Sequence, residues 1–353
     1  TALAAPLLRA QAPLERSAVS IAVGGKATFY YLPLTIAEQL GYFKAEGLDV
    51  QILDFQGGAR ALQAFVDGGA DICSGAFEHT LRLQSRGLPV KAFVLQGRAP
   101  QVVVGVSHRS LPRYKGLADL RGRRIGVSSP GSSTDTVCRL LLTRAGLPMA
   151  DINTVAVGVG SSALAALRSG SIDALSSVDP VMTMLTQKNE VRVVADTRTL
   201  RGSAEVFGGP MPAGCLFAPA AFLQKNPRTV QAMTNAIVRA LKWLQTAGPS
   251  DLLQAVPESY LLGDRALYLA AFGKMREAIS PDGLVPDDGP RTALRALAAV
   301  DAPMAELAVS CRTLDDAVVS VIEQELNGAP GLAYMESVSQ ANGTAQITVT
   351  FET

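Results

Sequence analysis

The residues with the clearest chemical potential lie in Arg124-Ile125-Gly126-Val127-Ser128-Ser129-Pro130-Gly131-Ser132-Ser133-Thr134-Asp135-Thr136-Val137-Cys138-Arg139-Leu140-Leu141. A short apolar segment leads into a run of hydroxyls, and Val137, Leu140 and Leu141 then resume at the i, i+3, i+4 spacing of a helix face. The pattern predicts strand, tight loop, helix. Gly131 lets the loop turn without a Cβ clash, and Ser132, Ser133 or Thr134 can cap the helix. The unpaired N–H groups of a first helical turn, with Ser129 and these hydroxyls beside them, make a site for an anionic or strongly accepting group. The plainer role for the same hydroxyls is capping alone.

Other chemistries find less support. Gly126-Val127-Ser128-Ser129-Pro130-Gly131 misses the G-x-S-x-G nucleophile elbow by one residue, and the two histidines, His79 and His108, have no evident acid and serine partners. Cys73, Cys138, Cys215 and Cys311 are far apart in apolar settings, which predicts buried thiols and no metal site. Gly158-Val159-Gly160-Ser161-Ser162-Ala163 fits a dinucleotide fingerprint, with Asp179 downstream at the distance of a ribose-binding acid. Gly170, however, stops the following helix after about two turns, short for that unit. No cofactor is expected.

Composition narrows the function classes. The 353 residues suffice for two or three compact units, 48% are apolar, and 32 Lys and Arg against 31 Asp and Glu leave a net charge of +1. That balance argues against nucleic acid or an anionic membrane as partner. No apolar run is long enough to span a bilayer. Thr1 to Ala12 is rich in Ala and Leu and reads as the remnant of an export leader ending by residue 17.

The elements that must position the serine loop alternate. Strands are expected at Val19–Val23, Val50–Leu53 and Ala70–Ser74, with helices between them, and the order recurs from Ile125 with strands near Thr154 and Ile172. Such alternation predicts α/β units with parallel strands. The copies align by residue: Ala61-Leu62-Gln63-Ala64-Phe65-Val66-Asp67-Gly68-Gly69-Ala70-Asp71 on Ala163-Leu164-Ala165-Ala166-Leu167-Arg168-Ser169-Gly170-Ser171-Ile172-Asp173. Two lobes follow, the first from residues 18–105 and 212–308 and the second from 106–211, with crossings near Gln96 to Val106 and Pro210 to Leu216 as hinge. A ligand belongs where the loops leave the carboxyl ends of the strands, between the lobes.

Leu34 to Val50 (LTIAEQLGYFKAEGLDV), Gly116 to Val127 (GLADLRGRRIGV) and Gly170-Ser171-Ile172-Asp173-Ala174 resemble substrate-binding proteins of nitrate/sulfonate/taurine-type ABC transporters, with thiamine-pyrimidine-precursor binding proteins as relatives. The resemblance spans about Val19 to Pro303 and implies a two-lobed periplasmic-binding-protein type II fold. It also implies a periplasmic or surface-held receptor that passes a small solute to an ABC permease. Carried over by position, it makes Thr28, Phe29, Tyr30, Gln56, Ser74, Gly75, Phe77, Glu78, Ser129, Gly131, Ser132, Ser133, Thr134 and Asp179 the expected ligand residues. Glu78 and Asp179 would repel a bare oxyanion unless a ligand N–H or amine answered them, and Phe29, Tyr30, Tyr31, Phe55 and Phe77 could stack on a flat ring. The expected ligand is thus a small organic solute with an N–H or amine and an accepting end near Ser132 to Thr134. The alternative is a thiamine-precursor-synthesising enzyme on the same scaffold. The resemblance implies a Cys-rich segment and a cleft histidine for that class, and this chain has no Cys cluster.

From about Leu314 the text changes. A helix is expected over Leu314 to Leu326, then a hairpin turning at Asn342-Gly343 before the alternating Ala345 to Phe351. Val321 to Gly328 and Gln346 to Glu352 resemble the first porter-domain segment of resistance-nodulation-division efflux pumps. Residues 309–353 therefore read as an extension of foreign character, without the pump's function.

Overall fold

A computed structural model describes residues 13–301, Met304, and the strands over 332–339 and 345–351. The strands are β1 (Ala18–Val23), β2 (Asp49–Asp54), β3 (Ile72–Ala76), β4 (Val90–Leu95), β5 (Val103–Ser107), β6 (Arg124–Val127), β7 (Asn153–Ala156), β8 (Ala174–Ser177), β9 (Val191–Asp196), β10 (Gly214–Pro219), β11 (Leu332–Ser339) and β12 (Ala345–Phe351). Between them run α1 (Leu32–Gln39), α2 (Tyr42–Ala45), α3 (Gly58–Val66), α4 (Phe77–Ser85), α5 (Ser133–Arg144), α6 (Ser161–Ser169), α7 (Val181–Gln187), α8 (Leu200–Phe207), α9 (Ala220–Lys225), α10 (Pro227–Thr246), α11 (Pro249–Ala255), α12 (Arg265–Met275) and α13 (Gly289–Ala298).

Two five-stranded sheets result, ordered β2-β1-β3-β10-β4 and β7-β6-β8-β5-β9. The expectation of wholly parallel sheets needs correction. In each, four strands run in one direction, and the fifth, β10 or β5, runs antiparallel between its two neighbours. Those two strands arrive by the crossings between lobes, so no covering helix has to return them to a parallel start.

The internal repeat is structural as well as textual. Asp71 and Asp173, aligned by sequence, do one job in the two copies. The Asp71 carboxylate accepts from the backbone N–H of Ser20 at 2.9 Å, and the Asp173 carboxylate accepts from that of Arg124 at 2.9 Å. Their own N–H groups donate back to the Ser20 and Arg124 carbonyls. Each aspartate thus braces the start of its lobe's central parallel strand.

The crossings lie side by side. Thr197 N–H donates to Val102 O at 2.9 Å, Val102 N–H donates to Thr197 Oγ1 at 2.9 Å, and Ala213 N–H donates to Gly97 O at 2.8 Å. Of the C-terminal helices, α10 packs on α1 and α2 of the first lobe, whereas α12 touches α7 and sends Leu267 into the second lobe's apolar cluster. Residues 13–17 are tied to the start of α10: Thr229 N–H donates to Glu15, and Arg16 N–H donates to Thr229 Oγ1.

Cys73, Cys138 and Cys215 are free buried thiols, and burial pushes the Cys138 thiol up to about 12. Cys311 and the expected helix Leu314 to Leu326 lie outside the described residues, whereas β11 and β12 do form an antiparallel hairpin. Among the described residues no helix is long and apolar enough to cross a membrane.

Candidate solute cleft between the lobes

The loops leaving the carboxyl ends of β1 and β2 meet those leaving β6, β7 and β8. They enclose a cavity of about 40 Å³. Gly24, Thr28, Tyr30, Tyr31 and Gly58 line it from the first lobe; Ser128, Ser132, Ser133, Thr134, Val159 and Val178 line it from the second, and Val102 closes it from a crossing. None of these side chains carries a formal charge. A wider hollow of about 680 Å³ lies between β9, α8 and the end of α5, and none of its lining residues belongs to these loops.

The lobes touch directly. Phe29 N–H donates to Asp179 O across the cleft at 3.1 Å. Gly57, at φ +109°, approaches so closely that a Cβ there would lie 2.8 Å from Ser129 Oγ; a side chain at Gly25 would strike Val159. Glycine is therefore required where the two edges meet.

The serine loop folds on its own hydroxyls. Ser128, Ser132 and Thr134 form a triangle with oxygens 2.8 to 3.0 Å apart, Ser132 donates to Ser129 O at 2.7 Å, and Thr134 Oγ1 accepts the Ser128 N–H. Ser132 stands at the N-cap of α5 without capping it by its side chain. Opposite, Gly57 precedes α3 and has no side chain to cap with. Two helix N-termini thus reach the cavity from opposite lobes with first-turn N–H groups that neither N-cap side chain answers. They favour negative or strongly accepting atoms.

Buried polar groups surround this point. The Tyr30 hydroxyl, Ser129 Oγ and both nitrogens of His79 are buried without hydrogen-bond partners. Burial holds the Tyr30 phenol well above its usual range. Burial, with Arg82 nearby, lowers His79 to about 3, so its imidazole is neutral. Burial raises the Glu78 carboxyl, against which Arg82 and a hydrogen bond from Ser133 pull only partly. Ser133 also lies beside Tyr30 without hydrogen-bonding it, so one hydroxyl of the second lobe faces two titratable groups of the first.

Among the expected ligand residues, Thr28, Tyr30, Ser132, Ser133 and Thr134 line the cavity. Ser129, Glu78, Gln56 and Gly131 are not among its lining residues; Gln56 approaches Gly158, and Gly131 faces Ala59. Others turn elsewhere. Phe29 packs on the Tyr268 ring at 4.5 Å and is fully buried, so it has no face left for a guest. Phe77 belongs to the core, and Ser74 accepts from Gln96 Nε2 at 2.8 Å. Gly75 presses against Cys73 and Phe217.

Asp179 reaches the cleft only by its carbonyl. Its carboxylate accepts from Thr183 N–H at 2.7 Å and from Arg198 Nη1 at 3.1 Å, deep in the protein. The expected repulsive carboxylate at that mouth is therefore already answered. Arg198 was invisible as its partner because it lies 19 residues away, beyond β9. His79 is the residue that sequence reasoning passed over. The signal for it was its place in the helix after β3, beside Glu78, at a strand's carboxyl end.

A family model described as NMT1/THI5-like matches residues 28–248. The chain belongs to that family. A solved protein from Bordetella bronchiseptica RB50 is 53% identical, with a TM-score of 0.83 over 90% of this chain and 99% of that one. The nitrate-binding protein NrtA from Synechocystis PCC 6803 (14% identity, TM-score 0.65, 90% of each chain) shares the fold. So does the alkanesulfonate-binding protein SsuA from Xanthomonas axonopodis pv. citri, solved with MOPS (20% identity, TM-score 0.63, 84% of this chain and 96% of that one). The family member's fold is that of the periplasmic binding proteins.

Among curated relatives, the binding protein YtlA of Bacillus subtilis (strain 168) is 24% identical over 66% of this chain and 68% of its own length. The 4-amino-5-hydroxymethyl-2-methylpyrimidine phosphate synthase of Schizosaccharomyces pombe is 27% identical over 45% of this chain and 44% of its own. A separate 42-residue stretch is 57% identical to the multidrug resistance protein MdtF of Escherichia coli (strain K12), covering 12% of this chain and 4% of that protein.

Proposed function

We propose that the chain is the exported solute-binding subunit of an ABC-type importer and closes its lobes on a small organic ligand. The observation that carries this reading is the uncharged, hydroxyl-rich cavity between the lobes, with α3 and α5 directing their N-termini into it from opposite sides. The accepting or anionic end of the ligand, sulfonate-like or taurine-like, lies against Ser133, Thr134 and Gly58. With Asp179 committed to Arg198, Glu78 is the carboxyl left to meet an N–H or amine. A heteroaromatic body would contact Tyr30 and Tyr31. A water needs about 10–15 Å³ of such space, so a cavity of about 40 Å³ takes only a few atoms, and a larger guest requires the lobes to part.

The second reading is a precursor-synthesising enzyme. It draws on the partial likeness to the Schizosaccharomyces pombe synthase and on a neutral, unpartnered histidine beside the cleft. Native mass spectrometry of protein purified without denaturation separates the two. A noncovalent, chemically intact small molecule released on unfolding is the receptor's signature. A covalent adduct or a converted ligand would replace the first reading by the second.

A further inference from the structure

Arg82 stands on α4, one turn beyond Glu78 and His79, on the first lobe's side of the cleft. Its Nε donates to Asp301 Oδ2 at 3.1 Å, an anchor in the same lobe just past α13. The two remaining nitrogens cross to the second lobe: Nη1 donates to Gly131 O at 3.1 Å, and Nη2 to Thr136 Oγ1 at 3.4 Å. Gly131, at φ +83°, is the turn of the serine loop, and its own N–H donates to Asp135 at 2.8 Å. Asp135 in turn accepts from Arg139 at 2.9 Å. The loop is therefore gripped by its N–H from inside the second lobe and by its carbonyl from the first. Arg82 does not line the cavity.

We propose that Arg82 is a positioning residue that latches the lobes shut over the serine loop. The proposal rests on the reading of the cleft as a site that closes. A guanidinium is a rigid fork of donors, and binding one nitrogen to Asp301 aims the others before the lobes meet. Little side-chain freedom is then left to lose on docking. The bonds to Gly131 and Thr136 join one lobe to the other, so parting the lobes breaks them while the Asp301 anchor stays, and a group that interacts differently with open and closed states shifts their populations. Because Gly131 shares its loop with Ser129 and Ser132, the latch also fixes the hydroxyls at the cavity.

Spin labels at S169C on α6 and K242C on α10, in a C311S background, report lobe separation by electron–electron dipolar spectroscopy on the dialysed full chain with no solute added. Arg82→Ala should move the population ratio towards the longer distance by at least about fivefold. Thr136→Val, which keeps the Asp301 anchor, should move it part of the way. Identical distance distributions for the parent and both variants would overturn the latch. If Arg82→Ala does not fold by circular dichroism, Thr136→Val alone decides on the same criterion. No ligand enters the measurement, so a failed latch and a failed receptor reading are told apart by comparison with the native mass spectrum.

Discussion

Ser132 and Ser133 are sequence neighbours with different partners. The Ser132 hydroxyl is spent on Ser129 O and the hydroxyl triangle, whereas Ser133 is turned towards Tyr30 and Glu78 of the other lobe. Replacing both by Ala should weaken solute binding at least about tenfold, because Ser133 loses its hydrogen bond to the solute and the loop that presents it loses the Ser132 bonds that hold its shape. Isothermal titration with the solute found by mass spectrometry measures it, and unchanged affinity would move the site elsewhere. Glu78 and His79 make a second prediction, about pH. His79, lowered from 6.5 to about 3, stays neutral in the folded protein while the unfolded chain takes a proton. Its contribution to stability therefore falls as pH drops from 6.5 to 3, by about 1.4 kcal/mol per pH unit. Glu78, raised from 4.5, keeps its proton in the folded protein after the unfolded chain has lost it, so stability falls as pH rises above 4.5. The two slopes oppose each other above pH 4.5. In Glu78→Gln only the histidine slope remains, and Tm should climb more steeply between pH 4.5 and 6.5 than in the parent. Parallel Tm curves would refute this.

At the scale of elements, the serine loop and its helix were legible because hydroxyls, glycine and helical spacing fall in one continuous run. The strands β4, β5 and β9 and the helices α7 and α8 were harder. Val90 to Leu95 and Val103 to Ser107 are buried on both faces, so they show no alternation to separate strand from core helix; the second reads only as part of a crossing, and the first as no element. The site residues that turned elsewhere share one cause. Phe29, Phe77 and Ser74 have partners elsewhere along the chain, in α12, in the core and at Gln96 just past β4, and no local pattern announces a distant partner. The terminal hairpin was legible from its alternation and its Asn-Gly turn, and among the described residues β11 pairs only with β12. A lone two-stranded hairpin contributes little stability of its own. Removing Leu314 to Thr353 should leave both solute affinity and the main Tm unchanged, by titration and calorimetry. A large loss in either would tie the extension to the lobes.

For the whole molecule, the internal repeat foretold two sheets, and its aligned aspartates brace equivalent strands. What no repeat could foretell is how the later helices distribute themselves. α12 places Tyr268 against Phe29 in the first lobe and Leu267 in the second lobe's cluster. With that shared helix and two stitched crossings, the lobes should unfold as one. Scanning calorimetry should give a single transition whose calorimetric and van't Hoff enthalpies agree; two resolved peaks would mean that the lobes melt apart.

The strand orders hold one further consequence. All five strands of the second sheet come from one uninterrupted stretch, Val103 to Asp196, while the first sheet is assembled from both sides of it. That stretch is a cassette. Recombination at its two adjoining borders would exchange one wall of the cavity in a single event and leave the opposite wall untouched, so a descendant could acquire a new guest without redesigning the half that it keeps.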